Sequence, residues 1–195
     1  MEHEETRFFM MSEEEVNKIV KSAANTAAEK AIEVYNSEKE KQKENIKDRR
    51  LRNTHLLLKN YRMFKQSSEE SVFSLAHMEL QESAADIIES MMNIYDEEVI
   101  VDSIKRSAAR TATIVAHIDN MLDLYETYCR HTCGDYVAVR RFEVMYDAYI
   151  AEVPLSKKEL AEKYNVSRDT IYMDLREAKK NLAALIFGVD GFVFR

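Results

Sequence analysis

An all-α fold follows from three features of the 195-residue sequence. Only three glycines and one proline are present, and all lie beyond residue 133 (Gly134, Pro154, Gly188 and Gly191), so two-residue hairpins and glycine-rich phosphate loops lack their material. Before that point the chain is dominated by Ala, Leu, Glu, Lys, Arg, Met and Gln, which lose little side-chain freedom in a helix. Apolar residues, 46% of the total beside 32% charged, recur at three-to-four spacing. This composition supports a buried core under a charged surface and excludes collagen-like, disulfide-framework and low-complexity chains.

The elements follow in order. Ser12 with Glu15 has the form of a capping box, and Val16, Ile19, Val20, Ala23, Ala27, Ala31 and Val34 continue as a narrow stripe of mostly small residues. From Asn36 to Arg50 only Ile46 is strongly apolar, which suits a bare solvated helix or a linker and marks a boundary. Leu51, Thr54, Leu57, Leu58, Tyr61 and Phe64 then form a buried face beside the basic Arg52, Lys59, Arg62 and Lys65. A second helix is expected from about Ser68 to Tyr95 through Val72, Leu75, Leu80, Ala84, Ile87, Ile88 and Met91. A third, from about Val99 to Tyr128, uses Ile104, Ala108, Thr111, Val115, Ile118, Leu122 and Tyr125, and the three pack as an antiparallel bundle. Gly134 is a C-cap candidate, and Asp135 caps a helix over Tyr136 to Ile150. Three parts result: an N-terminal long helix with charged linker (1–50), a helical bundle (51–133) and a C-terminal helix-turn-helix domain (135–195).

Charge is distributed in blocks beneath a net −7. Residues 38–65 hold ten Lys or Arg against four acids, and residues 69–102 hold ten acids and no Lys or Arg. A polyanion is attracted to the first block and repelled by the second, unless the two blocks pair with each other. The acidic start, Met-Glu-His-Glu-Glu, and the lack of a long apolar run point to a cytoplasmic protein without a membrane span. Cys129 and Cys133 read as free thiols. With His131 they form a Cys-x-His-x-Cys cluster, but on a helix the histidine faces away from both thiols and no further cysteine exists to complete a tetrahedral zinc site. His55, His77 and His117 have no acid or nucleophile close in sequence, and the tyrosines sit mainly at helical, core-forming spacing. No metal, cofactor or catalytic group is therefore expected, and the chain does not read as an enzyme.

The most specific stretch follows Pro154. Ser156-Lys-Lys-Glu159 is a second capping box, opening a short helix through Leu160, Ala161 and Tyr164. Asn165 tolerates the left-handed conformation that a tight turn needs. Ser167 then caps a longer helix whose inner stripe is Ile171, Leu175, Ala178, Leu182 and Leu185. Short helix, tight turn and longer helix make a helix-turn-helix, with Val166 plugging the turn. Successive residues rotate by ~100°, so Arg168, Asp169, Tyr172, Met173, Arg176, Lys179 and Lys180 point outward. Arg168 and Arg176 are the candidates for guanine edges, and Lys179 and Lys180 are placed for phosphates. With Ser167 and Thr170 at the helix start, these form the candidate DNA-binding set.

The segment from Arg140-Arg-Phe-Glu-Val-Met-Tyr, through Glu159-Leu-Ala-Glu-Lys-Tyr-Asn-Val-Ser-Arg-Asp-Thr-Ile-Tyr-Met-Asp-Leu, to Leu185-Ile-Phe-Gly-Val-Asp-Gly resembles the region-four domain of bacterial sigma factors. Within that group it looks like the small sigma-like regulators of phages and prophages in Gram-positive bacteria, including the ArpU-type late-transcription group. The resemblance implies promoter DNA reading by the second helix, with Arg168, Thr170, Tyr172 and Arg176 at the DNA, and RNA polymerase as a further partner. Residues 51–131 offer no counterpart of a strand-melting region-two module, and Trp is absent. The expectation is therefore a DNA-binding transcriptional regulator, able to homodimerise through its bundle, rather than a complete sigma factor. Two rival classes stand beside it: a phage DNA-packaging or assembly component with an oligomerising helix, and an adaptor using the hairpin against a partner protein. The apolar tail Val189-Asp-Gly-Phe-Val-Phe-Arg is expected to fold back or to meet a partner.

Overall fold

A computed structural model describes residues 11–70, 82–133 and 135–188. Among these the chain is all α-helical: α1 Glu13–Glu70, α2 Ala84–Met92, α3 Glu97–Lys105, α4 Ala108–Thr127, α5 Tyr136–Tyr149, α6 Lys157–Lys163 and α7 Arg168–Phe187, with a π-helical turn Tyr128–Cys133 extending α4. The chain divides into two units, residues 1–45 and 46–195. The expected Gly134 cap, the Val72, Leu75 and Leu80 positions and the apolar tail after Gly188 lie outside the described residues.

In the first unit the Ser12 capping box closes in both directions. The Ser12 N–H donates to Glu15 Oε2 at 2.9 Å, and the Glu15 N–H to Ser12 Oγ at 3.3 Å. All the described side chains of this unit are exposed, including Val16, Ile19, Val20, Ile32, Val34 and Tyr35. Of the two forms expected for Asn36–Arg50, the bare solvated helix is the one present: α1 runs through the stretch without a break, and the division between the two units falls within it. Its many Glu, Lys and Gln residues are good helix formers, so continuity needs no buried face.

The second unit holds the core. Leu56, Leu57, Leu58, Tyr61 and Phe64 of α1 join Ile87 and Met91 of α2, Ile100 and Ile104 of α3, and Ile114, Ile118, Leu122 and Tyr125 of α4. Two expected helices are shorter than their apolar patterns. The helix expected from Ser68 to Tyr95 is α2 alone after residue 82, started by the reciprocal Ser83–Asp86 capping box. The single helix expected over Val99–Tyr128 is two, because the Ser107 side chain accepts from the Arg110 N–H and restarts the chain as α4.

The basic and acidic blocks meet largely through the backbone. Arg49 Nη1 donates to Met92 O at 3.2 Å, and Arg52 Nη2 to Ile94 O at 2.8 Å, while buried Asn53 donates to Met91 O at 3.2 Å. These carbonyls lie at and just beyond the C-terminus of α2, where free carbonyls favour cationic partners. The Arg49 guanidinium also lies 4.7 Å from the Tyr95 ring centre. Farther along α1, Tyr61 donates a short hydrogen bond to Asp119 of α4, and Lys65 donates to Tyr61 Oη at 3.0 Å. Burial and the Asp119 hydrogen bond push the Tyr61 hydroxyl up to about 12.

Candidate nucleic-acid interface

The C-terminal helices are built around α7, which packs on α4, α5 and α6. Asp135 caps α5 by accepting from the Val137 N–H at 2.9 Å. Ser156 and Glu159 form the reciprocal capping box of α6. Asn165 has φ 50°, the one positive φ of a non-glycine residue among those described. The turn around it is tight, with Asn165 N–H donating to Glu162 O at 3.3 Å and Val166 N–H to Ala161 O at 3.1 Å. Leu160 beneath the turn is fully buried with Ile171, Ala178 and Leu182 of α7, and Ala161 and Val166 pack at the edge of the same core. The helix-turn-helix geometry expected from local signals is thus present.

Asp147 ties α5 to this hairpin. Its Oδ2 accepts from Tyr164 Oη at 2.8 Å and pairs with Lys163 Nζ at 2.5 Å, while its carbonyl accepts from the Leu155 N–H at 3.0 Å. At the far end, Asn181 donates to Tyr125 Oη at 3.1 Å and His117 Nε2 lies 3.2 Å from Ile186 O, joining α7 to α4. Gly188 ends α7 at φ 78°, where glycine carries no Cβ penalty.

The most consequential residue missed from sequence is Asp174. It is only 2% exposed, on the inner face of α7. Its carboxylate accepts from Arg140 Nε at 2.8 Å and from Arg140 Nη2 and Arg141 Nε at 3.4 Å. Asp174 stands three residues after Ile171 and four before Ala178, so its phase within the inner stripe was the available signal. The Asp174 hydrogen bond raises Arg140 above the ordinary guanidinium range.

The nine candidate DNA-binding residues separate by what their side chains do. Ser167 and Thr170 are engaged at the helix start: Ser167 Oγ accepts from the Thr170 N–H at 3.1 Å and lies 2.9 Å from Thr170 Oγ1. Arg168, Asp169 and Arg176 are exposed, as are Tyr172 at 54% and Met173 at 64%. Lys180 is half-buried and pairs with Glu177 at 2.5 Å. Lys179 is half-buried, and burial followed by repulsion from Lys157 lowers its pKa.

Charge pairing alters what composition suggested for residues 157–180, seven basic against five acidic. Lys158 pairs with Glu162 and Lys180 with Glu177, Glu159 closes the Ser156 cap, and Asp174 is buried against the arginines of α5. Lys157, Arg168, Arg176 and Lys179 make no ion pair among the described residues, and Asp169 is the one acid of the stretch without such an engagement.

No described helix is long and apolar enough to cross a membrane. Cys129 is buried in the π-helical turn. Comparison with known protein families, curated proteins and solved structures finds no match, so the fold and the site stand on their own residues.

Proposed function

We propose that this chain is a DNA-binding transcriptional regulator, cytoplasmic and without catalytic chemistry, that reads promoter duplex DNA with α7. The observation that carries the proposal is the exposed outer face of a capped second helix behind a left-handed turn, bearing Arg168 and Arg176 without an ion pair among the described residues. A guanidinium without a carboxylate partner keeps its donors for the O6 and N7 of a guanine, and the first turns of such a helix are those that enter a major groove. The resemblance to sigma region four supports the same assignment and makes RNA polymerase the proposed second partner.

The test is selection of binding sites from a random duplex pool at near-physiological salt, followed by substitution. Arg176→Ala is expected to weaken the preferred site by about 1–3 kcal/mol and to relax base preference, whereas Lys179→Ala weakens all sequences alike. Equal losses on every sequence for both substitutions would remove α7 as the sequence reader.

One observation favours a second reading. The exposed Val16, Ile19, Val20, Val34 and Tyr35 on the first unit give a phage packaging or assembly component, or a homodimeric regulator, a surface through which to associate. A ring-sized oligomer in light scattering supports the assembly component, and a dimer the homodimeric regulator.

A further inference from the structure

We propose that α1 supplies part of the duplex-phosphate contact, through Lys59 with His55 one turn before it, continuing a cationic edge formed by Lys157 of α6 and Lys179 of α7. This rests on the DNA-binding reading above and extends the interface beyond the helix-turn-helix. His55 and Lys59 are four residues apart and share one face of α1. Both are exposed, while Thr54, Leu56, Leu57 and Leu58 beside them are buried.

Ring packing brings this face of α1 to the C-terminal helices. The His55 ring meets Tyr149, at the end of α5, edge-on with ring centres 5.9 Å apart. Lys157 is the first residue of α6, and its Nζ lies 4.2 Å from the Tyr172 ring of α7. Tyr172 and Lys179 are seven residues apart, two turns along the same flank of α7. His55 feels the charges of Lys179, Lys59 and Lys157, and the acid that acts on it is Glu97 of α3.

None of these three lysines has an ion pair among the described residues. Among the described residues three helices therefore gather positive charge without ion pairs, an arrangement whose mutual repulsion a polyanion relieves. Each strand of a duplex presents a phosphate every ~3.4 Å of axis, so lysines on neighbouring helices can each be met by a phosphate of the same strand. The contact carries no base information and adds to affinity on every sequence.

The experiment measures binding of the full chain to mixed-sequence duplex DNA over a salt series, for wild type, Lys59→Gln and Lys59→Arg. In Lys59→Gln affinity is expected to fall on all sequences, and the slope of log K against log salt to shrink by about 0.9. Base preference and the thermal midpoint stay unchanged, and Lys59→Arg restores affinity and slope. An unchanged slope and affinity in Lys59→Gln, with Arg176→Ala still weakening the preferred site, overturns the α1 contact and leaves the DNA-binding reading in place. Failure of the wild type to bind any duplex at low salt refutes that reading and the α1 contact together.

Discussion

Removing the Asp174 carboxylate is expected to be among the most damaging single changes to the C-terminal helices, because it strands arginine charge in a nearly dry site. The Asp174 side chain is 3% exposed and that of Arg140 13%, joined at 2.8 Å, with Arg141, 32% exposed, at 3.4 Å. Breaking a buried pair by deleting one partner costs about 3–5 kcal/mol. The outer arginine can turn toward water, so the lower end, about 3 kcal/mol, applies to Asp174→Ala. Against a typical total of about 5–15 kcal/mol this is a large fraction. At about 2–4 °C per kcal/mol for a chain of this size, the midpoint falls by roughly 6–12 °C.

Urea and thermal unfolding followed by circular dichroism measure the loss, and a second variant isolates its cause. If the damage comes from uncompensated charge, Asp174→Leu combined with Arg140→Leu is less destabilised than Asp174→Ala alone, since removing both partners removes the desolvation cost as well. An Asp174→Ala loss below about 1 kcal/mol, the size of an ordinary substitution, would refute the idea that this cluster clamps α5 to α7. A double variant worse than the single one would assign the loss to packing volume.

Two further expectations concern the turn and the cationic edge. Asn165→Val should destabilise the hairpin by about 1–2 kcal/mol, because a β-branched residue at φ 50° meets its own carbonyl; Asn165→Gly should be tolerated, and equal unfolding midpoints for the two would count against the left-handed turn. Burial, then the charges of Lys179 and Lys59, hold His55 below its ordinary value of 6.5. The unfolded chain therefore takes up this proton first, and the His55 contribution to stability is present above pH ~6.5 and declines as pH falls. Duplex phosphates at the edge should raise the His55 titration midpoint in NMR, so that binding strengthens as pH falls through the histidine range; a midpoint unmoved by DNA would argue against phosphate near Lys59.

The helix-turn-helix was legible in the sequence because its signals are local. Ser156 with Glu159, Ser167 with Thr170, and Asn165 each act within three or four residues of themselves. The apolar stripe of Ile171, Leu175, Ala178 and Leu182 needs only the helical period to be recognised. The all-α class came from composition in the same way, since too few glycines and prolines leave a chain little to turn with.

Tertiary structure decided the rest, because it turns on partners distant in the chain. Asp174 reads as a surface acid until Arg140, 34 residues earlier, is packed against it. Arg49 and Arg52 read as part of a basic block, yet they hold carbonyls at and just beyond the end of α2, more than forty residues away. The break at Ser107 was masked by apolar spacing that continues across it, and the continuity of α1 through Asn36–Arg50 by the absence of any apolar spacing. Periodicity reports which face of a helix is buried; it does not say which charges on the remaining faces are already paired. Among the described residues that pairing leaves Lys157, Arg168, Arg176 and Lys179 without an ion pair, and only the packing of α5, α6 and α7 together determines it.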